Sequence, residues 1–291
     1  MVLLRRALIA SCAAAIGLFG AADAGSAARQ TFSSRIDAVR VDVLVTENGR
    51  PVQGLTPADF EVLDNGVRQR VDLASFEQIP LNVVLALDMS ASLQGLRLGH
   101  LQTAGKRVLE GLKAGDRAAL VAFSHVVAPT QALTEDLDRV RAALDQARGE
   151  GLTSLVDAAH AGMLLGESDA GRSLLIVFSD GVDTSSWLTA DAVLETARRG
   201  DVVVYAVEVG ERRASFPRDL SEVTGGRLFA IESTRDLSSA FANILEEFRM
   251  RYLVSYSPQG VEPGGWHRLE VRVRNRGVTV KARPGYFAGQ G

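Results

Sequence analysis

The sequence predicts an α/β protein: a doubly wound, mostly parallel sheet inserted in a β-sandwich that the N- and C-terminal segments build together. Three observations carry this expectation. Within residues 80–250, short apolar runs such as "LNVVLALD" and "SLLIVFSDG" alternate with segments of helical period, the pattern of right-handed βαβ units. On either side lie stretches with two-residue alternation and no helix pattern, each too small to bury a core alone. Finally, 291 residues with 46% hydrophobic content are ample for a globular core.

The chain begins "MVLLRRALIASCAAAIGLFGAADAGSAA". Arg5 and Arg6 precede an apolar run at 7–22, and small residues then offer A-x-A sites ending at Ala24 or Ala28, the order of a secretory signal peptide over residues 1–28. An uncleaved anchor is the alternative, although the apolar run falls short of the ~20 residues of a spanning helix. "IASC" resembles the lipobox of bacterial lipoproteins, but Cys12 follows closely on Arg6 and the apolar run continues beyond it, which argues against lipid anchoring. Cys12 is the single cysteine, so cleavage leaves a mature chain with no disulfide in spite of an oxidising compartment. The expected location is periplasmic or secreted. Net charge is −3, and loss of Arg5, Arg6 and Asp23 makes it one unit more negative. No basic field draws in nucleic acid.

In the N-terminal β segment, 29–79, Val39, Val41, Val43 and Val45 alternate as in a half-buried strand. "ENG" at 47–49 and "DNG" at 64–66 are turn signals, the second joining "FEVL" to "VRQRVDLASF" as a hairpin. The α/β domain, 80–250, opens with "LNVVLALD", apolar throughout as a central parallel strand should be. A helix at 96–112 follows, then the strand "DRAALVAFS", then the helices "DLDRVRAALDQAR" and "SLVDAAHAGMLL". "SLLIVFSDG" is a third buried strand, "TADAVLETARRG" a helix closed by Gly200, and "DVVVYAVEVG" and "GRLFAI" are further strands before a last helix at 237–250. In the C-terminal β segment, 251–291, Leu269, Val271 and Val273 share one strand face, with Glu270, Arg272 and Arg274 on the other. Residues 35–78 and 251–287 together give six or seven strands, which suits an immunoglobulin-like layer pair. Two unrelated β appendages are the alternative.

The chemistry gathers where three strands end. Ligands of open α/β sheets sit beyond the carboxyl ends of the strands, at the switch point of the topology. Asp88, Ser90 and Ser92 hold that position after "LNVVLAL"; "GEGLTSLVDAA" places Thr153 before a helix, and "LLIVFSDGVD" places Asp180 at a strand end. All five donors are oxygens, with no His or Cys, a set that suits a hard cation. Mg²⁺ takes about six oxygens at roughly 2.1 Å and keeps waters, so it needs no closed cage. Hydroxyls carry no charge, which leaves the ion under-neutralised and an open position attractive to an outside carboxylate. Local structure is the competing reading: Asp and Ser favour helix caps, and "SDG" favours a tight turn.

"DMSAS", "GLTSLVDA" and "FSDG", in this order within such a pattern, resemble the metal-ion-dependent adhesion site of von Willebrand factor type A domains. The family motif is Asp-x-Ser-x-Ser with a later Thr and a later Asp, which fall on Asp88, Ser90, Ser92, Thr153 and Asp180; Ala91 stands where Gly is frequent, a harmless departure. The resemblance covers roughly residues 80–250, and the flanks resemble longer secreted bacterial proteins called VWFA-related, best known from Acidobacteria. It implies a Rossmann-like fold and a bound Mg²⁺, Mn²⁺ or Ca²⁺. It further implies a protein partner whose acidic residue completes the metal shell, and a C-terminal helix that shifts with ligand occupancy. Neither nucleic acid nor a small-molecule substrate is implied, and no catalytic activity.

Enzyme readings fare worse. A haloacid-dehalogenase-like phosphohydrolase uses Asp-x-Asp after the first strand, and Ser90 stands where the second Asp, the general acid, would be. His100, His125, His160 and His267 lie in unrelated contexts without a G-x-S-x-G elbow, and no phosphate-cradling G-x-x-x-x-G-K-[ST] occurs. The alternative from another class is a structural scaffold whose metal only braces loops. The series Arg272, Arg274, Arg276, Lys281 and Arg283 reads as the solvated face of the sandwich, or as a patch for an acidic envelope polymer. Trp187, beside the rim, is either a contact anchor or half-buried packing.

Overall fold

Alternating valines form the first strand, β1 (Val39–Glu47), which turns at Asn48 and Gly49 into the short β2 (Arg50–Pro51). Next come β3 (Phe60–Asp64), β4 (Val67–Gln69) and β5 (Val71–Ser75). The hairpin between β3 and β4 uses the "DNG" turn, with φ of 47° at Asn65 and 83° at Gly66, the left-handed pair that a tight two-residue turn requires. The expected single strand "VRQRVDLASF" divides at Arg70, because β4 pairs with β3 in one sheet and β5 joins the other. The computed structural model describes residues 38–75, 79–167, 170–210, 214–274 and 277–289; the signal segment, Cys12 and Arg276 lie outside the described residues.

The α/β layer follows: β6 (Leu81–Asp88), α1 (Leu96–Glu110), β7 (Arg117–Phe123), β8 (Val127–Thr134), α2 (Leu137–Gln146), α3 (Leu155–Gly166), β9 (Arg172–Ser179), α4 (Ala190–Ala197), β10 (Val203–Val209), α5 (Ser215–Val223), β11 (Leu228–Ile231) and α6 (Leu237–Arg249). Strand order is β11-β10-β9-β6-β7-β8, parallel except for the antiparallel edge β8. Every residue of β6 is buried. Its Leu81, Val83, Leu85 and Leu87 meet α1, α2 and α6, while Val84 and Ala86 meet α3, α4 and α5. A strand sandwiched this way must be apolar on both faces, which explains the unbroken run in the sequence. β8 and α5 are not among the expected elements. Nor does Gly200 close α4: the helix ends on Arg198, and Gly200 lies two residues beyond, outside the left-handed region.

β12 (Tyr252–Tyr256) leaves α6 after two residues, followed by β13 (Gly265–Val273), β14 (Thr279–Lys281) and β15 (Gly285–Ala288). One sheet runs β14-β1-β12-β5 with β2 beside β1, and there C- and N-terminal strands alternate; in the other, β15-β13-β3-β4, the C-terminal pair β15-β13 joins the N-terminal pair β3-β4 through β13 and β3. Val41, Val43 and Val45 pack with Phe60, Val62, Tyr252, Val254 and Leu269 in one shared core. The appendages are therefore a single sandwich, of nine strands rather than six or seven. Among the described residues, no helix is long and apolar enough to cross a membrane.

The basic series divides. Arg272 and Arg274 are exposed, but Arg283 is buried, donating to Asp201 (2.9 Å), the Arg198 carbonyl (2.9 Å) and the Gly285 carbonyl (2.8 Å). It joins the sandwich to the α/β layer instead of facing solvent.

Candidate metal centre

β6 and β9 are neighbours whose crossovers run to opposite sides of the sheet, so the switch point lies at their carboxyl ends. Asp88 is the last residue of β6 and fully buried. Its carboxylate accepts from the Ser90 backbone N–H (2.8 Å) and from Ser179 Oγ (2.7 Å) at the end of β9. Ser90 Oγ lies 3.0 Å from Ser92 Oγ, and Ser92 Oγ donates to Asp180 Oδ1 at 2.7 Å. Four of the five expected donors thus form one linked cluster. Thr153 approaches from a third loop: its Oγ1 is 3.8 Å from where a Cβ on Gly181 would stand, and its carbonyl accepts from Thr184 N (2.9 Å) and Ser185 N (3.1 Å).

These side chains do not cap helices. α1 starts from Gly95, and although Ser90 precedes a short 3₁₀ turn, Ala91–Leu93, its side chain makes no capping bond. The turn reading of "SDG" holds for Ser179, whose hydroxyl bonds the Gly181 backbone at 3.2 Å. Asp180 is left to face Ser92 and Arg97, the latter 3.5 Å from Oδ2.

Burial pushes the Asp88 carboxyl above its ordinary value; hydrogen bonds from Ser179 and Ser90 oppose the shift, and the Asp180 charge adds to it. The linked Asp88, Ser90, Ser92 and Asp180, with Thr153 on the adjoining loop, are a donor set that a hard divalent cation fits, since the ion supplies the charge that burial withholds at Asp88. Among the described residues no three His, Cys, Asp or Glu side chains cluster, so softer or carboxylate-rich metal sites find no counterpart.

The sequence does not single out Ser179, Arg97, Asp157 at the start of α3 or Asp183 on the loop after β9. "FSDG" carried a signal for Ser179, a hydroxyl at a buried strand end; nothing in the sequence placed Arg97 against Asp180, a contact across 83 residues. His125 is exposed, and its Nδ1 lies 3.4 Å from Ser124 Oγ. Trp187 is 91% exposed, so it is not packing.

A solved von Willebrand factor type A structure from Catenulispora acidiphila is similar to the chain at a TM-score of 0.53 and 14% identity, covering 85% of this chain and 74% of that one. Proximal thread matrix protein 1 from the mussel byssus, with a zinc-occupied MIDAS motif, aligns at a TM-score of 0.55 and 14% identity over 64% of this chain and 49% of that one. The chain thus spans about half the length of the byssus protein. No curated protein matches the sequence. The family model for the von Willebrand factor type A domain matches residues 82–243, more than half of the chain and the whole stretch from β6 into α6. The chain belongs to the von Willebrand factor type A domain family.

Proposed function

We propose that Asp88, Ser90, Ser92, Thr153 and Asp180 hold a divalent cation, Mg²⁺ or its relatives Mn²⁺ and Ca²⁺, and that the chain is a secreted or periplasmic binding module. Its partner is a protein supplying an acidic residue. The observation that carries this is the linked cluster at the switch point: a buried carboxylate, a serine pair 3.0 Å apart and a second carboxylate, all at strand ends. That a byssus protein of similar fold holds zinc in its motif of this kind supports a divalent ion here. The ion would supply positive charge at an open rim; Asp88 and Asp180 would balance part of it, and the hydroxyls none. No reaction is part of this reading.

An ion that merely braces the loops is the other reading, and the loops argue against it. They are already tied by Ala91 N to Gly151 O (3.1 Å), Ser154 N to Ser124 O (2.7 Å) and Thr184 N to Thr153 O (2.9 Å). The test is a calorimetric titration of Mg²⁺ and Mn²⁺ into the chelated chain from residue 29, beside Asp88→Ala and Thr153→Ala. Saturable binding that both substitutions remove is expected. A folded parent that binds neither ion overturns the proposal.

A further inference from the structure

We propose that the rim around the metal centre is an apolar collar selecting a partner segment in which one acidic residue stands between large apolar side chains. The inference rests on the metal reading above and adds what flanks the carboxylate.

Among the described residues ten large hydrophobic side chains are exposed, and six of them lie on the loops and helix starts at the carboxyl edge: Leu96, Val126, Leu152, Val182, Trp187 and Leu188. Trp187 at 91% and Leu96 at 82% exposure are the extremes of the set. Isolated exposed hydrophobics need no explanation, but apolar groups gathered on one edge and rimmed by polar ones mark an interaction surface. The backbone bonds given above tie the loops that carry Val126, Leu152 and Val182 to one another at this edge.

The collar is also held in place. Asp157, in the first turn of α3, accepts from both Trp187 N and Leu188 N at 2.9 Å. Asp183 accepts from Ser186 Oγ at 2.6 Å and from Val156 N at 3.3 Å. A tryptophan whose backbone is fixed before binding loses less entropy on contact, the property of an anchor.

Charge selects a single acid. The bonds just described occupy Asp157 and Asp183. Arg97 pairs with Asp180 at 3.5 Å, so its charge is already countered beside the site and offers no second carboxylate an unmatched partner. Glu150, exposed on the loop before Thr153, repels a second acid. A polyacidic segment is therefore disfavoured, and one carboxylate with apolar neighbours is matched at its centre by charge and at its edges by area.

The experiment pans a display library of peptides, with a fixed central glutamate and randomised flanks, on the Mg²⁺-loaded chain, with elution by chelator. Leucine, phenylalanine and other large apolar residues are expected to dominate the enriched flanks. The doubly substituted Trp187→Ala, Leu96→Ser chain should bind the selected peptide about tenfold more weakly while titrating with Mg²⁺ like the parent. Chelator-sensitive enrichment of polar or acidic flanks overturns the collar and leaves the metal reading standing. Failure of Mg²⁺ to titrate overturns both. Equal affinity of parent and double variant also overturns the collar, because both substituted side chains are exposed and their loss does not unfold the chain.

Discussion

Asp88 closes a strand of eight buried residues as its only carboxylate, and the sequence around it made that visible because a charged group at the end of an apolar run has no packing role. Other residues gave no such sign. Arg251 looks like an ordinary start to a strand, yet it is fully buried, donating to Tyr205 OH at 2.9 and 3.1 Å and to the Gly225 carbonyl at 2.7 Å. Arg251→Ala should cost on the order of 3 kcal/mol in urea unfolding, since it strands buried partners. The glycines separate as sharply. A Cβ on Gly226 would stand 1.8 Å from the Val204 carbonyl oxygen, whereas one on Gly99, within α1, meets nothing within 4 Å. Gly226→Ala should therefore lower stability by about 3 kcal/mol, and Gly99→Ala should raise it by roughly 0.5–1 kcal/mol, both read by thermal or urea melts. Burial, with the Arg251 and Arg227 charges, pulls Lys281 below its usual value. A lysine that resists protonation in the fold costs stability below that lowered value, and the cost fades as pH rises toward the unfolded value. Lys281→Met should raise Tm at pH 7, with the gap to the parent closing in alkali.

At the scale of elements, hydrophobic period located nearly all of the α/β layer and failed in two places. β8 holds mostly exposed or half-exposed residues and carries Pro129, as an edge strand can, so it lacks the apolar run that marks its neighbours. α5 contains Pro217 at its third position and follows a polar stretch, which hid its start. The division of "VRQRVDLASF" into two strands was illegible for another reason: alternation continues across Arg70, and only the partners differ. α6 matters most for transmission. Its last residue, Arg249, pairs with the buried Asp116 at 2.5 Å, and the chain enters β12 three residues later. If the metal site is felt in the sandwich, amide exchange over residues 240–257 should slow when Mg²⁺ and a carboxylate peptide are added. Equal protection in both states would uncouple the two.

Across the whole molecule, neither β segment has a sheet of its own. β1 pairs with β12 and β14, and β3 with β13. Arg172 of the α/β layer holds Asp42 of β1 in a buried ion pair, its guanidinium 4.8 Å from the Phe248 ring centroid. The sandwich interior carries a second network that links both segments: Asp64 accepts from Tyr256 OH at 2.8 Å and Tyr286 OH at 2.9 Å, and lies 2.7 Å from His267 Nδ1. A chain that starts at residue 80 should consequently expose Tyr252, Val254 and Tyr256, and trypsin should remove its C-terminal segment much faster than from the whole chain.

Layer order, the buried strands and the oxygen-bearing residues at their ends are legible in the sequence, because periodicity and a sudden change of polarity are local properties of the chain. The sequence also carried the family motif. Which strands share a sheet, which arginines are buried, the approach of Ser179 and Arg97 to the two aspartates and the exposure of Trp187 emerge only in the folded chain. These depend on contacts between residues tens to hundreds of positions apart, and a contact of that kind leaves no periodic trace in the sequence of either partner.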